Sequence, residues 1–228
     1  MVSAIIVAAG KGTRMGPNMD KLFLELNGSP IVAHTWRRFD RVPMIAEIII
    51  VVREGMQSAF SQLAQSENFS KPFRLVPGGK ERQDSVWNGL EALSAAAEIV
   101  AIQDAARPCT SPSMIADTIQ AAREIGAAVA AQPVADTIKE SQDGSLVSRT
   151  IDRSRLFAVQ TPQTFRVSVI RRALSEVRRQ GLLMTDDTAA CELIRQPVKL
   201  VVSSQPNPKV TRPEDLSYVE VLLRNQST

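Results

Sequence analysis

A chain of 228 residues, 44% hydrophobic and 22% charged, has ordinary globular composition and is long enough for one large domain with its own core. Its 27 basic side chains barely outnumber 24 acidic ones, an excess too small to make nucleic acid the main partner. A lone histidine, His34, argues against a Ser-His-Asp relay or a multi-His metal site, and two distant cysteines, Cys109 and Cys191, fit a reducing compartment better than a disulfide framework.

The chain opens on a continuous apolar strand, Ala4 to Ala8, followed by a glycine-bearing loop. Ser29-Pro30 reads as an N-cap and first-turn proline for a helix to about Phe39. Glu47 to Val52 is a second buried strand, followed by a helix from Met56 to Gln65. Arg74-Leu75-Val76 is a short strand, and Asp84 or Ser85 caps a helix to about Leu93. Ile99 to Ile102 is a third buried strand, ending at Gln103-Asp104. Ser111-Pro112 opens a helix that Gly126 closes, and Ala127 to Ala131 is another strand. Within 136–155, Thr137-Ile138-Lys139 and Leu146 to Ile151 flank the turn dipeptide Asp143-Gly144, a β-hairpin. It holds too few apolar residues to stand alone, so it must lie on this subunit or on a partner. A helix then runs from Val167 to Gln180, a strand from Lys199 to Val202, and Thr211-Arg212-Pro213-Glu214 reads as a capping box opening a helix through Leu223.

Buried, non-alternating strands joined by helices predict an α/β fold: a Rossmann-like, mostly parallel sheet covered by helices on both faces, with the hairpin protruding as an arm. No internal linker divides residues 1–228, which read as one domain. No apolar run is long enough to span a membrane, and no basic segment precedes the first apolar stretch. The expectation is a cytoplasmic protein with neither membrane nor nucleic-acid partners.

The loop Ala8-Ala9-Gly10-Lys11-Gly12-Thr13-Arg14-Met15-Gly16 is neither a Walker loop, which needs Gly-Lys-Ser/Thr after a longer spacing, nor a dinucleotide fingerprint, whose third glycine is replaced by Met15. A glycine-rich loop at the carboxyl end of a parallel strand nevertheless suits phosphate, because successive N–H groups can form an anion nest. Arg14 and Lys21 would add countercharge.

The whole phrase, with Lys21 after Asp20, resembles the nucleotidyltransferases that make sugar and polyol nucleotides. Further phrases narrow the resemblance: Gly78-Gly79-Lys80-Glu81-Arg82-Gln83-Asp84-Ser85, Asp104-Ala105-Ala106-Arg107-Pro108, Asp136-Thr137, Asp152-Arg153, Thr161-Pro162-Gln163 and Lys209-Val210-Thr211-Arg212-Pro213-Glu214. In this order, from Ala4 to about Leu222, they resemble the 2-C-methyl-D-erythritol 4-phosphate cytidylyltransferase family. That resemblance implies transfer of a cytidylyl group from CTP to the polyol phosphate, with release of pyrophosphate, in isoprenoid precursor synthesis.

By the same resemblance, Arg14, Lys21 and Lys209 are the catalytic cations around the α-phosphate. Ala8, Ala9, Gly10, Gly12, Gly79, Lys80, Ser85, Asp104 and Ala105 bind the nucleotide, and Asp104 serves Mg²⁺. Arg107, Thr137, Arg153, Thr161 and Thr185 lie on the acceptor side, with Arg153 acting in the partner's site through a homodimeric arm. The family commonly carries His at Gln103 and an acidic residue at Lys80, and some members have an acid just before Lys209, where Ser204-Gln205-Pro206 offers none. Two alternatives compete: a ribitol 5-phosphate cytidylyltransferase, and a non-catalytic nucleotide-binding module. His34 and both cysteines read as structural.

Overall fold

The structure, a computed structural model, describes residues 1–10 and 20–226. Seven strands make the main sheet: β1 (Val2–Ala8), β4 (Ile45–Val52), β5 (Phe73–Pro77), β6 (Ile99–Asp104), β7 (Ala127–Pro133), β10 (Phe157–Arg166) and β11 (Lys199–Val202). Short ribbons pair β2 (Glu25–Leu26) with β3 (Ser29–Pro30), and β8 (Ile138–Glu140) with β9 (Arg149–Ile151). The helices are α1 (Ile31–Asp40), α2 (Gln57–Glu67), α3 (Arg82–Glu91), α4 (Pro112–Ile125), α5 (Val167–Gln180), α6 (Asp187–Leu193) and α7 (Asp215–Asn225). Strand order is β11-β7-β10-β6-β1-β4-β5. The β6-β1-β4-β5 pairings are parallel, as is β11 with β7, while β10 runs antiparallel between β6 and β7. The predicted α/β architecture is therefore present, with one antiparallel insertion.

The two-residue repeat of the strands divides the core. Ala4, Ile6, Ile48, Ile50 and Val52 join a layer with Trp36, Phe39, Phe60 and Ile115 from α1, α2 and α4. Ile5, Ile49, Val51, Val100 and Ile102 face the other way, onto Val86, Leu90, Ile170, Leu174 and Cys191 of α3, α5 and α6. Burial on both faces explains why these strands are apolar throughout. A smaller cluster seats α7: Val219 and Leu223 meet Leu26, Ile31, Cys109 and Val210. Both cysteines are free and buried, and burial pushes their thiols up, to about 11 at Cys109 and about 12 at Cys191.

Several local expectations need correction. Ser29 does not cap α1; it pairs with Leu26 in the β2–β3 ribbon, and Pro30 takes the N-cap position. Helix α3 begins at Arg82, and Asp84 caps from inside by accepting the Glu81 amide at 3.1 Å. The last helix begins at Asp215, whose carboxylate accepts the amides of Thr211 and Arg212 at 2.7 and 2.9 Å, a role the predicted box gave to Glu214. In the arm, Leu146 and Val147 precede β9, because Asp143 accepts the amides of Ser145 and Leu146 and widens the turn. Strand β10 and helix α6 had no sequence expectation. Thr161-Pro162 inside β10 reads as a breaker, and the strand accommodates it with a register shift between Val159 and Gln163. Gly126 and Gly181 close α4 and α5 in the left-handed region, φ 101° and 66°, as such stops require.

Candidate active site

The carboxyl ends of β1, β4, β5 and β6 open into a cleft of about 550 Å³, the position at which open α/β sheets bind ligands. Ala8, Ala9 and Gly10 form one wall as β1 ends, and Gly78 to Glu81 form the opposite wall before α3. The walls are close. A Cβ on Gly78 would lie 2.3 Å from the Ala9 Cβ, and one on Gly79 would lie 2.2 Å from that of Asp84. Ser85, buried in the first turns of α3, holds this wall by accepting the Gly79 amide at 3.0 Å and donating to the Glu81 carbonyl at 3.2 Å.

The floor is Asp104, the last residue of β6. Its carboxylate meets Lys209 Nζ at 2.8 Å, Arg82 Nε at 3.4 Å and Arg107 Nε at 3.7 Å. Burial alone would raise its pKa, but Arg82, Lys209 and Arg107 outweigh that effect and bring it down to about 2. Asp104 is thus an ionised carboxylate throughout the working pH range. Its backbone amide donates to Thr161 Oγ1 at 3.1 Å. Lys209 reaches the floor from the far end of the chain because Val210 N bonds the Ala106 carbonyl at 2.8 Å. On the same side, Lys21 Nζ donates to the Val210 carbonyl at 2.9 Å. Two lysines far apart in sequence therefore share one side of the cleft. Lys21, Arg53, Lys80, Arg82 and Lys209 line it against Glu54, Glu81 and Asp104, leaving a cationic surface suited to polyphosphate.

Of the residues singled out in the sequence, the cleft gathers Ala8, Ala9, Gly10, Lys21, Gly79, Lys80, Ser85, Asp104, Ala105 and Lys209. Gly12 and Arg14 lie outside the described residues. Arg107 stands behind the floor, donating to the Asn207 carbonyl at 2.7 Å, and Thr161 is buried beneath Asp104. Thr137 and Arg153 are exposed on the arm, where Arg153 donates to the Ala135 carbonyl, and Thr185 is exposed just before α6. Within one chain these three do not line the cleft.

Sequence reasoning missed Arg53, Arg82, Asn207 and Asp187. Arg53 follows β4 and pairs with Asp20 at 3.0 Å, tying down the segment that leads to Lys21. Buried Asn207 donates to the Thr161 carbonyl at 2.8 Å and accepts from Thr110 Oγ1 at 2.9 Å. Gln103 joins that network through Thr110 at 2.9 Å. The Gly-Gly-Lys-Glu-Arg phrase contained Arg82, but a buried acid 105 residues away could not be paired with it by spacing.

Among the described residues, no three His, Cys, Asp or Glu side chains are grouped to cage a cation. One ionised carboxylate at the cleft floor fits an ion carried in on triphosphate oxygens, the usual mode for Mg²⁺, and does not fit one held by protein alone.

Comparison with known proteins agrees over nearly the whole chain. The sequence model of the 2-C-methyl-D-erythritol 4-phosphate cytidylyltransferase family matches residues 2–225. The enzyme of that name from Geobacillus kaustophilus is 44% identical, over 98% of this chain and 97% of its own. That from Desulforamulus reducens is 41% identical, over 99% and 97%. Among solved structures, the Anaerococcus prevotii 4-diphosphocytidyl-2C-methyl-D-erythritol synthase superposes with a TM-score of 0.87 at 30% identity, covering 98% of this chain and 96% of that one. The Thermus thermophilus cytidylyltransferase gives 0.79 at 30%, covering 96% and 98%. With the cationic cleft in place and relatives matching from end to end, the chain belongs to the 2-C-methyl-D-erythritol 4-phosphate cytidylyltransferase family.

Proposed function

We propose that this cleft transfers the cytidylyl group of CTP to 2-C-methyl-D-erythritol 4-phosphate, forming 4-diphosphocytidyl-2-C-methyl-D-erythritol and pyrophosphate for isoprenoid precursor synthesis. The convergence of Lys21 and Lys209 beside Asp104, in a chain of this family, is the observation that carries the reading. One oxygen of the acceptor phosphate attacks the α-phosphorus in line, and the bond to the bridging oxygen breaks as pyrophosphate leaves. The attacking monoester has a second pKa of about 6, so it is largely dianionic near neutrality and needs no general base. His34 accordingly stays out of the chemistry: its ring bonds the Leu26 carbonyl at 2.6 Å, and burial lowers its pKa.

What the reaction demands is charge neutralisation and alignment. Lys21, Lys209 and Arg14 stabilise charge that grows on the α-phosphate and the leaving group. Amides of Ala8 to Gly10, with Gly12, cradle the triphosphate. The rigid wall at Gly79, Lys80 and Ser85 reads the cytosine through main-chain groups, and Ala105 and Asp104 bound the ribose. Asp104 would hold Mg²⁺, which when bound supplies countercharge to the phosphate oxygens. Thr137, Arg153, Thr161, Thr185 and Arg107 serve the acceptor side, directly or by supporting the floor.

We further propose a homodimer in which the arm crosses to the partner. Leu146 and Val147 at its tip are 74% and 62% exposed in one chain, apolar surface that a partner would cover. Residues 1–228 act as one domain. No helix among the described residues is long and apolar enough to cross a membrane, and two free buried cysteines fit the cytoplasm.

Pyrophosphate release from CTP and Mg²⁺, with methylerythritol 4-phosphate and ribitol 5-phosphate in parallel, tests the reading. Turnover with the first acceptor alone is expected. Turnover with ribitol 5-phosphate alone would transfer the assignment to that acceptor, and CTP binding with no turnover of either would leave a non-catalytic module.

A further inference from the structure

A carboxylate stands in the second core layer without any part in the chemistry above. Asp187, the first residue of α6, is 1% exposed. Arg82 Nη1 donates to it at 2.8 Å, while Arg82 Nε reaches Asp104 at 3.4 Å. Asp104 in turn holds Lys209 at 2.8 Å. The four side chains form a row of alternating charge, Asp187, Arg82, Asp104, Lys209, running from the interior to the cleft floor.

Such a row is poorly explained by stability. Moving ions out of water is costly, and apolar replacements of buried pairs are often neutral or stabilising. Its geometry instead suits alignment. Arg82 is a planar fork whose donors occupy two carboxylates at once, a task a lysine ammonium on a flexible stem cannot reproduce. Asp187 is itself fixed, because its amide donates to Gln163 Oε1 at 2.9 Å and Gln163 lies buried on β10. Asp104 is therefore braced from two sides, by Thr161 on its backbone and by Arg82 on its side chain.

We propose that Arg82 and Asp187 are positioning residues for cytidylyl transfer: the pair fixes the Asp104 carboxylate on Lys209, and ties the cleft floor to the Thr185–Asp187 segment that enters α6. The proposal rests on the cytidylyl-transfer reading for its kinetic consequence, and on geometry alone for its structural one. Asp187 touches no substrate; it acts through Arg82 and Asp104.

A double-mutant cycle on the full-length enzyme tests it. Asp187→Asn should lower kcat by about 10- to 100-fold, the scale of a small misplacement of reacting groups, with KM for CTP within about twofold. In an Asp104→Asn background the same change should cost less than about twofold, because residues acting through one another are not additive. Equal losses in both backgrounds would overturn the proposal, as would a folded Asp187→Asn enzyme with unchanged kcat.

Should Asp187→Asn fail to fold, Arg82→Lys serves in its place. It keeps the charge at a partly exposed site, should lose kcat similarly, and should regain it in no Asp187 background. Wild-type kcat in Arg82→Lys would sink the idea. A crystal structure of Arg82→Lys separates this proposal from the functional one. The Asp104 carboxylate should turn away from Lys209, and a carboxylate still seated on Lys209 would refute the brace even if the wild-type protein turned over neither acceptor.

Discussion

Lys21 donates from its ammonium to the Val210 carbonyl at the cleft edge, a neutral partner that a phosphate oxygen can replace. Because its stabilisation should be realised as charge develops, Lys21→Ala is expected to lower kcat by roughly 10²–10³, about 2.7–4 kcal/mol, with little change in CTP affinity. Single-turnover kinetics beside a CTP titration measures both, and normal turnover in a folded variant would remove Lys21 from the mechanism. Asp104 carries a pH signature. Its folded pKa, about 2, lies below the ordinary 3.8, so the native state favours the ionised form. The stability this contributes is fully present above pH 3.8 and is lost as pH falls toward 2. The stability difference between wild type and Asp104→Asn, read by denaturant melts, should therefore change steeply between pH 4 and 2 and stay flat from 5 to 7. A flat difference across the acid range would show that the three cations do not hold this carboxylate.

Among the elements, the turn from β5 into α3 does most to shape the cleft. Gly78 N bonds the Val52 carbonyl at 2.8 Å, Gly79 N bonds Ser85 Oγ, and the absence of side chains lets the wall approach Ala9 and Asp84. Gly79→Ala places a methyl 2.2 Å from the Asp84 Cβ and 3.1 Å from its carbonyl carbon, contacts that backbone must relieve. Overpacking of this kind costs about 1–3 kcal/mol, and the displaced wall should weaken CTP binding while the acceptor KM stays near wild type. Calorimetric CTP titration with thermal melts measures the two effects, and wild-type CTP affinity would show that the wall can shift without consequence. On the opposite side of the sheet, Trp36, fully buried on α1, stacks on Phe69 with ring centroids 4.1 Å apart.

At the scale of the whole molecule, the arm poses a problem that one chain does not solve. Among the described residues, strands β8 and β9 pair only with each other, over three residues each, and the ribbon carries Thr137 and Arg153 away from the cleft. Arg153→Ala should raise KM for the acceptor and leave CTP binding intact. Mixing it with Lys21→Ala protein, under verified subunit exchange, should restore activity in part of the heterodimer sites. Exchange without recovery would argue against an arm that works in the partner's site.

Fold class was legible where one physical signal dominates. Runs such as Ile48 to Val52 are apolar at every position because helices cover both faces of the sheet, and Gly126 and Gly181 stop helices by a backbone preference that acts locally. Lys21, Gly79, Ser85, Asp104 and Lys209 were legible as phrases. Strand β10 was hidden by its internal proline, and α6 by its shortness. No local rule could place Arg82 between Asp104 and Asp187, or bring Lys21 to the residue after Lys209, since those pairings join elements through a sheet order with crossovers. Residue order by itself determined that apolar runs such as Ile48 to Val52 are buried strands, that Gly126 and Gly181 stop helices, and which chemical groups are available. Only the tertiary structure decided which charges meet, because electrostatic pairing depends on distance in space and burial, and neither is encoded in spacing along the chain.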